Sequence, residues 1–245
     1  MDNFDLELAQ ASEQGSVNWL NVRAGRFTSS EIHRLMKSGS RLMSESELKA
    51  RPKSGKGSSS KFTEDSSCVS DDAKTYIMEK VAETLTGEPK NEVFSHATSW
   101  GDTWEPWAAE YFTKVTGLEL EIIGFVPWGD HAGGSVDRGV VGKDEHVEIK
   151  CPYNSKNQID YLMLTDQYDL KRDYPNHYWQ VAANCLFTKK PLAHFVTFDP
   201  RMKSDKHKMV HIEVVPNEDD YQLLALKLKY AEMEKQIILN LLTPL

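Results

Sequence analysis

The sequence predicts an α/β chain with a mixed central β-sheet flanked by helices, because helical apolar spacing gives way to period-two strand patterns and then returns. A first helix is expected in SSEIHRLM, where Ser29 or Ser30 caps a turn that carries Ile32, Leu35 and Met36 on one side. Residues 38–70 are dense in Ser, Gly and Lys and are expected to form a flexible loop. The next helix runs from Asp72 to Leu85, with Tyr76, Ile77, Val81 and Leu85 on its apolar side, and another covers Thr103 to Val115. Beyond it the period shortens. LELEIIGFVPW and VEIK read as strands, and the Gly-rich HAGGSVDRG between them begins a further short one. After Cys151 and Pro152 come two helices, the second from His177 to Phe187. LAHFVTF and MVHIEVV read as strands, and EDDYQLLALKLKYAEMEKQIILNLL as a long helix with acidic residues in its first turn.

At 245 residues the chain is long enough for one large core, and a single domain over residues 1–245 is expected. No stretch approaches the roughly 20 apolar residues of a membrane span, and the acidic start MDNFDLELAQ lacks the features of a secretory signal. A cytoplasmic protein with no membrane contact is therefore expected. Cys68, Cys151 and Cys185 are odd in number and form no CxxC pair, which argues against a disulfide framework, a zinc ribbon or an iron–sulfur cluster.

The formal net charge of -8, from 29 Lys+Arg against 37 Asp+Glu, counts against a nucleic-acid partner. Phosphate binding depends on where cations cluster, however, and a metal site itself needs carboxylates. The cations do cluster: Lys37, Arg41, Lys49, Arg51, Lys53, Lys56 and Lys61 lie in and beside the expected loop, which reads either as a solvated linker or as a DNA-contacting segment.

Residues 134–150 read GSVDRGVVGKDEHVEIK. With VDRGV and HVEIK as adjacent antiparallel strands, alternation puts Glu148 and Lys150 on one face, turns Ile149 into the core and brings Asp137 alongside. Hard Mg²⁺ takes carboxylate, carbonyl and water oxygens, and two ions about 4 Å apart stabilise both the attacking and the leaving oxygen of a phosphodiester. Asp137 and Glu148 would supply carboxylates and Ile149 its main-chain carbonyl. Lys150, a compact cation whose pKa falls readily when buried or near a metal, would position and help deprotonate the attacking water. A surface hairpin with one charged face has the same pattern.

The pattern D-x(10)-E-x-K resembles the PD-(D/E)xK nuclease superfamily. EIKCPYNSKN resembles, more narrowly, the lambda exonuclease family, related to the YqaJ-type viral recombination nucleases. WLNVRAGRFTSS, WGDTWEPWA, HYWQVAANCLFTKK and FDPRMK match in the same order, so the likeness spans residues 19–203. The resemblance implies a restriction-endonuclease-like core, with Asp137 and Glu148 as metal ligands and Lys150 as the catalytic lysine. Glu105 is implied as a further acidic member, against the alternative of a surface Glu favoured by the helix dipole. Gln180 is implied to face the active site from its helix. Arg23 corresponds to the arginine that holds the 5′-phosphate, a task suited to a planar guanidinium. Ser30 and Ser135 correspond to hydroxyls near the terminal or scissile phosphate, or else are cap and turn residues. Trp19 would stack at a duplex end or sit in the core. The family often has Ser-Pro-Asp-Gly where this chain has Ser135-Val136-Asp137-Arg138, so Arg138 adds a cation that touches phosphate or faces solvent.

The activity implied is that of a Mg²⁺-dependent 5′-to-3′ exonuclease, with Mn²⁺ as a substitute ion. It would digest one strand of linear double-stranded DNA to 5′-mononucleotides and leave a 3′ overhang. The resemblance also implies a homotrimeric ring around DNA and a single-strand annealing protein as partner. A ring would need less raw electrostatic affinity, which meets the charge objection. The rival readings are a restriction-like or RecB-like endonuclease, a catalytically silent DNA-binding recombination scaffold, and a protein-interaction domain.

Overall fold

A computed structural model describes residues 16–50, 62–89 and 95–242. Its centre is a five-stranded mixed sheet in the order β10-β9-β8-β7-β4. β8 (Glu145–Lys150) is its middle strand. It pairs antiparallel with β7 (Arg138–Val140) on one side and parallel with β9 (Leu192–Phe198) on the other. β10 (Met209–Val214) and β4 (Leu120–Glu121) form the two edges, both antiparallel to their neighbours. A smaller sheet joins β1 (Phe27–Thr28), β6 (Ala132–Ser135) and β5 (Phe125–Trp128). The expected class, a mixed central sheet flanked by helices, is the one observed.

The sheet is covered on both sides. On one face, α5 (His96–Thr116) lays Ala108, Ala109 and Phe112 over Val147, Ile149, Val196 and Phe198. On the other, α8 (Pro175–Thr188) buries Tyr178, Val181, Ala182 and Cys185 together with Phe195 and Ile212. The outer helices α2 (His33–Met36), α4 (Asp71–Thr86) and α10 (Glu218–Leu242) close this larger core through Leu35, Tyr76, Ile77, Leu224 and Leu228. Of the stripe expected on α4, Tyr76, Ile77 and Val81 are buried, whereas Leu85 in its last turn is exposed.

Local signals place the helix ends. Ser70 accepts from the Ala73 amide at the start of α4, and Gly87 closes the helix in a left-handed conformation. α5 starts seven residues before the expected Thr103, because Ser95 caps it by accepting from the Thr98 amide. α1 (Val17–Arg23), capped by Ser16, was not separated from the following segment by the sequence pattern.

Two expectations differ from what is observed. Within residues 38–70, where a loop was expected, β2 (Ser38–Leu42) and β3 (Phe62–Val69) form an antiparallel pair, with α3 (Glu45–Ala50) following β2. Their polar alternation gave no core-facing signature. Lys37, beside this segment, is paired with Asp72 at 2.5 Å. Residues 51–61, with Arg51, Lys53, Lys56 and Lys61, lie outside the described residues.

The second difference concerns LELEIIGFVPW, which divides between the two sheets. Leu120 pairs with Val140 in the central sheet, whereas Phe125 pairs with Ser135 in the small one. Both ends keep the same hairpin register, so the ladder between the two arms is interrupted over residues 122–124 on one and 136–138 on the other. Asp137 therefore sits at the break rather than within a strand. Interruptions of this kind re-aim side chains beside functional sites.

The remaining segments return the chain to the site. α6 (Ser155–Tyr161) and α7 (Gln167–Asp173) follow β8, while α9 (Asp205–Lys208) joins β9 to β10. Among the described residues no helix is long and apolar enough to cross a membrane, and Cys151 and Cys185 are free thiols.

Candidate active site

β8 presents its alternation as expected. Ile149 packs under α5, whereas Glu148 and Lys150 meet on the other side, with Lys150 Nζ 2.5 Å from Glu148 Oε1. Glu148 is wholly buried and has two more donors from α8: Gln180 Nε2 donates to Oε1 at 2.5 Å and Asn184 Nδ2 to Oε2 at 3.2 Å. Asn184 was not singled out in the sequence. Its signal is the i,i+4 spacing from Gln180, which puts both amides on one helix face.

Asp137 enters from the hairpin break. Its Oδ2 accepts the Ile149 amide hydrogen at 2.6 Å, a bond that locks the carboxylate beside β8 while Oδ1 keeps its lone pairs. Glu105 arrives from α5 and accepts from Arg138 Nη1 at 2.8 Å. Arg138 also donates to the Asp137 carbonyl. The expected alternatives for Arg138 were a phosphate or solvent. Rather than facing solvent, it is a half-buried counter-ion of Glu105.

The electrostatics follow from this crowding. Burial, and then the Asp137 charge, push the Glu148 carboxyl up to about 8 and that of Glu105 to about 7. Burial also raises Asp137, against the pull of Lys150 and the Ile149 amide. Burial alone would lower Lys150, but Glu148 and Asp137 outweigh it and the ammonium is held above its ordinary range. The lowering expected from burial is thus offset by the two carboxylates beside the ammonium.

Three desolvated carboxylates that resist ionisation form a site that favours added positive charge. The donors are all hard oxygens, which fits Mg²⁺ or Mn²⁺. Glu105, Asp137 and Glu148 do not close to within 4.8 Å of one another, so water would complete the coordination of an ion held there, as Mg²⁺ favours.

Beside the carboxylates is a cavity of about 220 Å³ whose lining includes Trp19, Arg23, Ser30, Ser135, Asp137 and Gln180. Four residues expected at a terminal or scissile phosphate thus share one hollow with Asp137, expected at the metal, and Gln180, expected to face the active site. Trp19 is buried, donates from Nε1 to Ser135 Oγ at 2.8 Å, and carries the Arg23 guanidinium 3.7 Å above its ring. It is at once core and platform. Arg23 Nη2 lies 3.5 Å from Ser30 Oγ. A Cβ on Gly134 would come within 2.4 Å of Asn184 Oδ1 and 2.5 Å of Ser29 Oγ, so glycine is what lets β6 pass this close to α8.

The YqaJ-like viral recombinase domain matches residues 18–191, most of the chain. The chain belongs to this family. The match takes in α1, the hairpin break, β8 and α8, so every candidate site residue lies within the family's domain.

Solved structures show where the recombinase-domain fold recurs. An alkaline exonuclease (LHK-Exo) from Laribacter hongkongensis superimposes with a TM-score of 0.69 at 18% identity, covering 93% of this chain and 96% of that one. Its complex with dAMP matches equally well, at 19% identity. A phage-related exonuclease from Haemophilus somnus 129PT gives a TM-score of 0.64 at 13% identity, covering 89% of this chain and 96% of that one. No curated protein matches the sequence significantly. The restriction-endonuclease-like core implied by the motifs is the fold these structures share with the recombinase-domain chain.

Proposed function

We propose that this chain is a single-domain, Mg²⁺-dependent deoxyribonuclease that digests one strand of linear double-stranded DNA from its 5′ end, releasing 5′-mononucleotides and leaving a 3′ overhang. The observation that carries this reading is the shared cavity, in which Arg23, Ser30 and Ser135 adjoin Asp137 and Gln180. An exonuclease needs a chain-end pocket next to its hydrolytic centre, whereas an endonuclease has no use for one. The family membership and the exonuclease names of the similar structures support the same reading.

Arg23 grips the terminal phosphate as a planar two-point donor, with Ser30 beside it and Trp19 holding its plane. Ser135, which accepts from Trp19, lines the same cavity as Asp137. Asp137, Glu148 and Glu105 hold the cation or pair of cations, with the Ile149 carbonyl as a main-chain donor. When bound, Mg²⁺ polarises the scissile phosphodiester and lowers the pKa of the attacking water. Gln180 and Asn184 orient Glu148. Lys150 remains an ammonium that positions the water and offsets developing phosphate charge. Arg138 moderates the charge on Glu105.

In the cell the enzyme would work in the cytoplasm as a homotrimeric ring threaded by DNA and pass its 3′ overhang to a single-strand annealing protein. The test is digestion of linear duplex labelled separately at each end, with and without 5′-phosphate, in Mg²⁺, in Mn²⁺ and in EDTA. The reading requires metal-dependent release of 5′-end label as mononucleotide. Cutting of covalently closed circles would replace it with an endonuclease, and no hydrolysis in either metal would leave a DNA-binding scaffold.

A further inference from the structure

On the face of the central sheet opposite the Glu148 carboxylate lies a second group of potential ligands. His194 on β9 stands across the ladder from Glu213 on β10, and His211 lies two residues before Glu213 on the same side of that strand. One donor atom from each falls within 4.8 Å of the other two. Glu148 is reached from α8, whereas both His194 and His211 pack against Phe112 of α5, with ring centroids 5.5 and 5.1 Å away.

His194 is 2% exposed and is oriented from behind: Glu145 Oε2 accepts from its Nε2 at 3.1 Å. That bond puts the ring proton on Nε2 and leaves the lone pair of Nδ1 pointing at His211 Nε2, 2.9 Å away. Two nitrogens bound to one tetrahedral zinc ion sit about 3.3 Å apart, given bonds near 2.0 Å. The imidazoles therefore need to separate by only a few tenths of an ångström. A carboxylate behind the first histidine is the arrangement that fixes ligand tautomers around metals. Neither His211 nor Glu213 is buried, so an ion has a path in and water has a place on it.

We propose that His194, His211 and Glu213 form a binding site for one Zn²⁺-type ion, separate from the carboxylate centre. Two imidazoles and one carboxylate select a borderline-soft ion over Mg²⁺, which favours oxygen. Binding requires the proton that His211 holds on Nε2 to move by exchange with solvent to its Nδ1, so that the ring stays neutral and its Nε2 lone pair faces the metal. The ion ties edge strand β10 to β9, and so stiffens the sheet whose next strand, β8, carries Glu148. The chemistry is independent of hydrolysis and is read without it.

The experiment is titration of metal-free protein with Co²⁺, which absorbs strongly in the visible when bound by nitrogen in a four- or five-coordinate site and weakly when surrounded by oxygen. Wild type and Asp137→Asn should both develop an intense band that saturates at one equivalent and is bleached by Zn²⁺. His211→Ala and Glu213→Gln, both at positions that are not buried, should lack it at that stoichiometry while retaining the wild-type circular dichroism spectrum. Absence of the band in wild type would leave only a histidine–histidine hydrogen bond and overturn the site. So would its persistence in folded His211→Ala or Glu213→Gln, or its loss in Asp137→Asn.

Discussion

Asp137 Oδ2 accepts the amide hydrogen of Ile149 at 2.6 Å, joining a break in one hairpin arm to the centre of the neighbouring strand. The bond anchors the Asp137 carboxylate to the backbone of the residue that lies between Glu148 and Lys150 in sequence. It also separates two kinds of substitution. Asp137→Asn keeps an oxygen for the Ile149 amide and should abolish hydrolysis with little loss of stability. Glu148→Ala should abolish hydrolysis and also cost roughly 2–4 kcal/mol, because it strips a half-buried ammonium and two amides of their acceptor. Denaturant melts beside nuclease rates check both, and hydrolysis near the wild-type rate in either variant removes that residue from the centre.

Lys150→Ala should lower the rate by orders of magnitude without recovery at high Mg²⁺, since the ammonium acts on water and phosphate rather than as a ligand. Rates measured across a Mg²⁺ series decide this. Restoration of the wild-type rate by excess ion would mean that Lys150 works through metal affinity.

The raised carboxyls make a prediction about pH. Glu148 and Glu105 move from an ordinary 4.5 to about 8 and about 7, so the folded metal-free protein retains protons that the unfolded chain has released. Stability from these groups is full below pH 4.5 and is lost as pH rises through 7 to 8. A divalent ion takes the place of those protons. The Tm gain produced by Mg²⁺ should therefore grow from about pH 6 to about pH 8.5, measured by scanning calorimetry. A gain that is flat or shrinking over that range would place the ion elsewhere.

Arg23 separates end recognition from generic metal hydrolysis. Wild type should start faster on 5′-phosphorylated than on 5′-hydroxyl ends, and Arg23→Ala should lose that preference, worth on the order of 1.5–3 kcal/mol. Arg23→Lys should recover part of it, since an ammonium keeps the charge without the fork. Initial rates of the three proteins on the two substrates are the measurement, and an undiminished preference in Arg23→Ala would undo the assignment of 5′ polarity.

The features legible in the sequence are those carried by local periodicity. Alternation along HVEIK puts Glu148 and Lys150 together with Ile149 turned away, and helical spacing identifies α8 and α10. Five ordered motifs carry the family, since they record side chains rather than contacts. Tertiary structure alone decides how distant residues meet. Trp19 and Ser135 are bonded across 116 positions, and Asn184 reaches Glu148 across 36. Arg138 finds Glu105 rather than solvent, and β2 pairs with β3 across a polar stretch that has no apolar alternation to announce it. The hairpin break that exposes Asp137 depends on one ladder being shared between two sheets. The physical reason is range: periodicity reports which face of an element is buried, whereas site geometry depends on which other element comes to cover it.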